Sequence, residues 1–321
     1  MKKFIKENIT TIIFLIIMIL IIKVEFPYYI EAPGGTINIT KRIEKSAYNK
    51  DNGSLNMLYV TEYKGNLVTI VLSKLIKSWD LYEISNQQIS DEDAEDIYNR
   101  NRVMLENSVQ NATFVAYEYA SKTISIKGKE NIIIVNTKDN GLKIGDIVLK
   151  IDDIEVNDVN TIKEHINTLN VGDKVTLLIK RKNKEKKVTI SLDEDKLIGI
   201  MLITNYIYDT EEDLDIAFRN GEGGSSGGLV LSLGIYSQIT GIDILKGRNI
   251  AGTGTIDIDG NIGEIDGIKY KIAGAVKNKM DIVLVSPYNY EEAKKIVEEN
   301  NYNIELVSVS TFKEAIEYLT K

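Results

Sequence analysis

The chain has 321 residues and a formal net charge of −8, which argues against a nucleic-acid-binding protein, because such proteins normally present a basic face. It contains no cysteine and a single histidine, His165, which excludes disulfides, thiolate metal sites, cysteine nucleophiles and multi-histidine metal centres. The length predicts about two domains, and a covalent hydrolase of this composition would need His165 or a lysine as its base.

The N-terminal apolar run Ile9–Ile22 follows three lysines within the first six residues. Extended to Phe26, with Lys23 reaching the interface, this run predicts a transmembrane helix over residues 8–26 after a cytoplasmic stub over residues 1–7. Because basic residues stay on the cytoplasmic side, we expect a single-pass protein of the cell membrane whose later residues lie outside the cytoplasm. A cleaved signal peptide is the alternative, although no small-residue cleavage site follows the run, and a buried core helix is a third.

The region that follows, to about residue 121, predicts two strands and one helix. Leu55–Thr61 and Leu67–Leu72 are strand-like. Apolar residues then recur mostly at helical spacing from Val103 to Tyr119, which predicts a helix with one buried face. Ser90 followed by Asp93 predicts the start of this helix, with the acidic residues there forming a solvated first turn.

Residues 124–195 predict a domain of short strands with one helix. The predicted strands and helix are Ile132–Val135, Ile147–Ile151, Val175–Ile179, Val188–Ile190 and the helix Asn160–Leu169. The segment Gly141–Val156, with its Gly-Asp pair followed by alternating apolar residues, resembles the bacterial PDZ family. The family has Gly where this chain has Asp153, a tolerable change in a turn.

The PDZ resemblance implies a peptide-binding edge on the first of these strands. The residues expected there are Glu130, Asn131, Ile132, Ile133 and Ile134. His165 lies in the predicted helix, from which some PDZ domains contact their ligand; an ordinary surface histidine is the other interpretation.

Residues 196–321 predict alternating strands and helices. The region closes with Asp281–Ser286, Asn289–Glu299, Ile304–Val309 and Thr311–Leu319, read as strand, helix, strand and helix. A phosphate-binding loop of the GxxxxGK[ST] type is absent from the sequence, so an ATP motor in this chain is not expected.

A glycine-rich segment, Gly223–Gly228, opens an apolar helix in this last region. It contains Ser225 and Ser226. Free backbone N–H groups and the positive end of a helix dipole suit an oxyanion, and glycines permit close approach. Taken alone, the segment is most simply a flexible Gly/Ser loop, and an anion or phosphate site is the other alternative.

Two later segments, Ala251–Asp257 and Gly260–Lys271, join this loop in resembling the proteolytic domain of the Lon family. The resemblance implies a nucleophile at Ser226, a base at Lys271 and an accessory hydroxyl at Thr253. Gly224 and Ser225 would assist in the loop, with backbone amides there as oxyanion donors. Ser225 stays open as an alternative nucleophile and Lys269 as an alternative base.

A lysine base has to be neutral, and burial among apolar groups lowers the pKa of an amine. The helix face that carries Lys271 also carries apolar residues that would exclude water from it: Ile268, Ile272, Ala273 and Val276. We therefore expect this lysine to be buried.

The segment Val103–Ala112 resembles a helix from the first half of the Lon proteolytic fold. A PDZ-like domain (124–195) would then be inserted between a first part (27–123) and a catalytic part (196–321) of one protease domain. The whole chain resembles the bacterial membrane-anchored PDZ–Lon proteases, which implies an α+β fold with one N-terminal transmembrane helix.

That resemblance implies an ATP-independent serine endopeptidase with a Ser-Lys dyad that cleaves polypeptides outside the cytoplasm. It implies no cofactor, no metal and no nucleic-acid partner, and it leaves a homo-oligomer possible. Ser225 and Gly227 replace the family's Pro and Ala, which would loosen the loop. An inactive scaffold or peptide-binding module is therefore the alternative function.

Overall fold

The computed structural model describes residues 8–43, 53–83, 94–212, 214 and 216–321. Its strands in chain order are β1 (Glu25–Asn38), β2 (Ser54–Asn66), β3 (Asp80–Glu83), β4 (Ile124–Asn136), β5 (Ile147–Ile151), β6 (Ile154–Glu155), β7 (Lys174–Arg181), β8 (Lys184–Ser191), β9 (Ile200–Thr210), β10 (Asn249–Thr253), β11 (Thr255–Ile256), β12 (Ile262–Gly263), β13 (Ile282–Val285) and β14 (Glu305–Ser308).

The described residues also form α-helices between and around these strands. In chain order they are α1 (Ile9–Lys23), α2 (Leu67–Leu75), α3 (Ala94–Tyr119), α4 (Val159–Asn167), α5 (Gly228–Thr240), α6 (Ile268–Lys277), α7 (Pro287–Glu299) and α8 (Phe312–Thr320). The helix start predicted at Ser90 and Asp93 lies outside the described residues.

Two expectations for the N-terminal part are corrected. The helix predicted over residues 8–26 ends at Lys23, because Glu25 already begins β1, where it pairs with Asn66 of β2. None of the helices in the described ranges combines the length and the apolar character needed to cross a membrane. The predicted strand Leu67–Leu72 is helix α2, because the side chain of Asn66 accepts a hydrogen bond from the Thr69 amide and starts a helix with a capping box.

The main sheet has six strands in the order β14-β13-β10-β2-β1-β3. β2, β10, β13 and β14 run parallel, whereas β1 lies antiparallel to β2 and β3. Helix α5 packs against this sheet and against α3 and α8, and its residues Leu229, Leu231 and Leu233 are fully buried. The carboxyl end of β10 therefore meets the amino end of α5 at one place in the fold.

A second sheet, in the order β8-β7-β5-β4-β9, forms the inserted domain, and α4 covers its own separate core. β4 and β9 are longer than the other strands of this sheet, and their ladder runs from Ile124 to Asn136. The outer part of this ribbon lies on α3, where Phe114 contacts Tyr206 and Tyr208. The ribbon thereby joins the inserted domain to the main one.

The C-terminal helix is part of the main core. Phe312 of α8 is fully buried, and its ring meets Tyr119 of α3 and Tyr236 of α5 at centroid distances of 4.9 and 5.7 Å.

Phe312→Ala should lower the free energy of unfolding by about 3 to 5 kcal/mol, because it removes a large buried ring. Denaturant melts would measure this change. Tyr288→Ala, at a 73% exposed position, should change it little, and an equal effect of both would contradict the packing described.

Candidate active site

The glycine-rich segment lies at the amino end of α5 and is held there by α3. The amide of Gly224 donates to the carbonyl of Asn101 at 2.8 Å, and Gly224 has φ +90°, which favours glycine. The hydroxyl of Ser108 donates to the carbonyl of Ser225 at 3.1 Å. Helix α3 therefore fixes the loop on both sides of its turn.

The backbone of Ser226 is fixed from the opposite side by β10 and the residue after it. Its carbonyl accepts from the amide of Gly254 at 2.9 Å and from the hydroxyl of Thr253 at 3.3 Å. Thr253 is fully buried, so its hydroxyl supports the serine backbone. Thr253 therefore has a positioning role. The accessory hydroxyl expected from the sequence would instead contact the reacting groups.

The loop departures at Ser225 and Gly227 do not leave an empty space. A Cβ at Gly227 would overlap the sulfur of Met57, so Met57 occupies the volume that an alanine would take. A Cβ at Gly228 would lie 2.9 Å from the Ile256 amide nitrogen and 3.1 Å from the Ser108 hydroxyl. A neighbouring side chain therefore fills the space beside Gly227, and the loosening of the loop stays a prediction.

Lys271 lies on the buried side of α6 and is only 4% exposed. Burial lowers the pKa of Lys271 to about 8, and the charge of Asp266 opposes this shift. Within the described residues, a carboxylate at ion-pair distance from its ammonium is absent. Ile268 and Ile272 are buried beside it, as the sequence predicted. About a tenth of this lysine is therefore neutral at pH 7, compared with less than about a thousandth of an ordinary lysine.

Lys269, the alternative base, has a different environment. Its ammonium forms an ion pair with Asp80 of β3. The Tyr270 hydroxyl donates to the same carboxylate at 2.6 Å and lies 3.1 Å from the hydroxyl of Tyr82. Burial alone would raise the pKa of Asp80, but the hydrogen bonds from Lys269 and Tyr270 outweigh it and hold that pKa below its usual value. These interactions hold the first turn of α6 in place, where Lys269 lies two residues before Lys271.

Ser226 and Lys271 both line one open cleft of about 1870 Å³, whereas Ser225 and Thr253 are not among its lining residues. The cleft wall is also formed by β1 and β2, where Glu31 and Glu62 lie directly opposite each other. Burial raises the pKa of Glu62, and the charge of Glu31 adds to this shift. The arrangement brings one serine and one largely buried lysine to a cleft whose β1–β2 wall carries two carboxylates.

The sequence-based reasoning did not identify Asn101, Ser108 or Asp80. Ser108 stands inside the helix motif that was recognised, but only the fold shows that its hydroxyl meets the Ser225 carbonyl. Asp80 carried no signal in the sequence, because its partners lie almost two hundred positions later. All three support the positions of the two proposed reacting residues.

The predicted peptide-binding edge is not an edge. β4 pairs with β5 through Asn131 and Ile132 and with β9 along its length, so both of its sides are occupied. Asn131 and Ile133 are buried, Ile134 is half-buried, and Glu130 forms an ion pair with Lys180. The edge prediction is corrected because the last strand of the inserted sheet, β9, lies outside β4.

His165 has an internal partner in the inserted domain. Its Nε2 lies 2.6 Å from Asp152 Oδ2, and the other oxygen of that carboxylate accepts from the Thr176 amide at 2.8 Å. Burial alone would raise the pKa of Asp152, but these hydrogen bonds hold it below its usual value. The histidine thus ties α4 to the turn after β5.

Two parts of the chain match models of known families. Residues 124–192 match the family model of the PDZ domain, and residues 205–321 match that of the Lon protease C-terminal proteolytic domain. The chain combines a PDZ domain with a Lon-type proteolytic domain. The resemblance to these two families read from the sequence motifs is confirmed.

Individual relatives match a limited part of the chain. The Lon protease of Neorickettsia sennetsu is 32% identical over 95 residues, which are 30% of this chain and 11% of that protein. The Lon protease of Campylobacter jejuni is 34% identical over 96 residues, 30% of this chain and 12% of that protein. This chain therefore matches only a small fraction of the length of these curated relatives. A solved PDZ domain of the SdrC-like protein from Listeria innocua is 23% identical, covers 23% of this chain and 92% of that chain, and has a TM-score of 0.21.

The lowered pKa of Lys271 predicts how the free energy of unfolding of the Lon-type domain changes with pH. Its folded-state value, about 8, is below the ordinary value of 10.5, so the buried charge destabilises the Lon-type domain below pH 8. This penalty disappears as pH rises from 8 to 10.5. Lys271→Met should therefore raise the free energy of unfolding at pH 7 by on the order of 3 kcal/mol, and by much less at pH 10. Denaturant melts at the two pH values would measure it, with Lys277→Met, at an exposed position of α6, as the control. A loss of stability in Lys271→Met at pH 7 would argue against a buried charge.

The tight packing at the start of α5 makes a second prediction. Gly228→Ala should abolish peptide cleavage, because its methyl group would press on the Ile256 backbone and displace the loop. Gly227→Ala should be milder, since it meets only the flexible Met57 side chain. Cleavage rates of the two purified variants test this, and a reversed order would show that the loop is packed differently.

Proposed function

We propose that this chain is a serine peptidase in which Ser226 is the nucleophile and Lys271 is the general base. The observation that carries the proposal is the burial of Lys271, with its pKa lowered to about 8, in the cleft that Ser226 also lines. A neutral amine can accept the serine proton, whereas an ordinary surface lysine is charged at neutral pH. Lys269 is the poorer candidate, because Asp80 stabilises its charged form.

The proposed reaction has two steps. The Ser226 Oγ attacks the scissile carbonyl carbon while the Lys271 amine takes its proton; the lysine then gives this proton to the leaving nitrogen as the C–N bond breaks. Water, deprotonated by the same amine, then attacks the carbonyl carbon of the ester on Ser226, and the lysine gives this proton to the Ser226 Oγ as the ester bond breaks. Each step returns the lysine to its starting state.

The negative oxygen of the intermediate requires hydrogen-bond donors near the start of α5. The Gly224 amide already donates a hydrogen bond to the Asn101 carbonyl, so we do not assign it as an oxyanion donor. We assign this role to the amide of Ser226, which has no acceptor among the described residues and lies at the positive end of the α5 dipole.

The substrates proposed are polypeptides. The cleft is open and has a volume of about 1870 Å³, which is large enough for a peptide segment, and the inserted sheet offers a strand edge to which a peptide could add. That edge is β9 rather than β4. The carbonyl of Thr204 and the amide of Tyr206 are taken by Asn107 and Gln110 of α3, so we place peptide addition at Ile200–Ile203.

Cleavage without ATP is proposed because the sequence contains no phosphate-binding loop. We expect the PDZ domain to bind substrate or to gate access to Ser226.

The dyad is tested by peptide cleavage with purified variants. Ser226→Ala should abolish cleavage, and Lys271→Arg should do nearly the same, because a guanidinium stays protonated and cannot act as a base. The cleavage rate of the parent should rise with pH through about 8, the pKa of Lys271, and then level off.

Two neighbouring changes are the matched controls for the dyad variants. Ser225→Ala removes the adjacent hydroxyl, and Lys269→Gln removes the adjacent amine, so both should keep most of the activity. Full activity in Ser226→Ala would remove the proposed nucleophile, and full activity in Lys271→Arg would remove the proposed base. A folded parent that cleaves no peptide would favour the scaffold function.

A further inference from the structure

The residues just before the glycine-rich segment Gly223–Gly228 form a tight turn, Arg219–Glu222. The amide of Glu222 donates to the carbonyl of Arg219 at 3.1 Å, and one oxygen of the Glu222 carboxylate accepts from the Arg219 amide at 2.8 Å. Gly221 has φ +88°, which favours glycine at the third position of such a turn. The backbone of Arg219 is therefore fixed by hydrogen bonds that do not involve its side chain.

The turn is anchored to the part of the chain that follows β1. The other oxygen of the Glu222 carboxylate forms an ion pair with the Arg42 guanidinium at 2.6 Å, and this guanidinium also donates to the carbonyl of Ala217 at 2.8 Å. The two side chains of the ion pair are mostly buried, with exposed fractions of 16% and 20%. The amide of Ala217 donates in return to the carbonyl of Arg42 at 3.2 Å. Arg42 thus compensates the charge of Glu222 and holds the turn in place.

The side chain of Arg219 is available to a ligand. It is exposed and lines the cleft that Ser226 and Lys271 also line. Within the described residues, its guanidinium has no hydrogen-bond or ion-pair partner. Lys41, the last residue of the short 3-10 helix after β1, is also exposed, lines the same cleft and has an ammonium without a partner in the described part of the chain. We call Arg219 and Lys41 the basic end of the cleft.

The rest of the cleft carries charges of the opposite sign. Glu31 and Glu62 face each other on the β1–β2 wall, and Glu31 is separated from Asn38, the end of β1, by roughly 20 Å of extended strand. Apart from Glu222, the other carboxylates that line the cleft belong to β3, to the turn before α6 and to α7: Asp80, Asp266 and Glu292. A carboxylate in the cleft is therefore attracted to the basic end and repelled from the β1–β2 wall.

We propose that Arg219, together with Lys41, binds a carboxylate of the peptide in the cleft. The basic end then selects substrates that carry an acidic side chain, or a free C-terminus, on one side of the bond to be cleaved. This inference rests on the proposed peptidase function and adds a specificity-determining residue to it. Arginine suits the role because its fork of N–H groups matches the two oxygens of a carboxylate. Its fixed backbone reduces the entropy that is lost on binding.

Binding is measured with the full chain carrying Ser226→Ala, so that the peptides are not consumed. Three fluorescently labelled peptides of one length are compared by anisotropy: a neutral peptide with an amidated C-terminus, the same peptide with one glutamine replaced by glutamate, and the neutral peptide with a free C-terminal carboxylate. At least one of the two carboxylate peptides should bind about five- to tenfold more tightly than the neutral one. Which of them does so identifies the source of the carboxylate. Raising the salt concentration should reduce the difference.

In the same background, Arg219→Gln should abolish the difference in affinity between the carboxylate and neutral peptides. The turn should survive this change, because it uses only the backbone of Arg219. Arg219→Lys should keep part of the difference, since it keeps the charge but not the fork. The matched control is Arg102→Gln, which changes a 64% exposed arginine of α3 that is not among the lining residues of the cleft and should leave the difference unchanged.

Cleavage by the parent chain separates this proposal from the peptidase function. Mass spectrometry should locate the cut at a constant spacing on one side of the glutamate or of the free C-terminus. Equal affinity for all three peptides would overturn the carboxylate site, and a preference that survives Arg219→Gln would place that site elsewhere. Cleavage of all three peptides without preference would leave the peptidase and remove this site. A carboxylate preference lost in Arg219→Gln, in a chain that cleaves none of the peptides, would remove the peptidase and leave the site.

Discussion

The Lon-type domain contains one buried ammonium group, and the surrounding residues have to hold that group in place. Lys271 is 4% exposed, and burial moves its pKa to about 8. Such a group is costly to keep in a fold and has to be held by its surroundings. Asp80 supplies part of this support from β3, the edge strand of the sheet, through Lys269 and Tyr270 in the first turn of the same helix. We regard this fixed, dry lysine as the basis of the proposed chemistry.

Helix α3 connects this chemistry to the PDZ domain. Asn101 and Ser108 hold the loop that carries Ser226, and Gln110, two residues after Ser108, accepts a hydrogen bond from the Tyr206 amide of β9 at 2.6 Å. The amide nitrogen of Gln110 is buried without a partner among the described residues, which lowers the free energy of unfolding. A single helix therefore contacts both the proposed nucleophile loop and the strand that carries the open PDZ edge.

Patterns within one element were predictable from sequence, and pairings between elements were not. The strand Ile147–Ile151 has the predicted bounds, and the buried face of α6 follows from its apolar spacing. Leu67–Leu72 was read as a strand because its β-branched residues favour one, but the Asn66 cap makes it a helix. The edge assigned to β4 was wrong because only the fold shows that β9 pairs outside it. The Ser226–Lys271 dyad stays a prediction, although the fold brings both residues to one cleft.

The central claim is that a neutral Lys271 activates Ser226. The most direct measurement is the rate at which a serine-reactive phosphonate labels the chain at different pH values, with the labelled residue located by mass spectrometry. The account predicts labelling at Ser226, at a rate that rises through pH 8 in the parent and is nearly lost in Lys271→Met, although that variant stays folded. Labelling at another serine, or an unchanged rate and pH dependence in Lys271→Met, would contradict it.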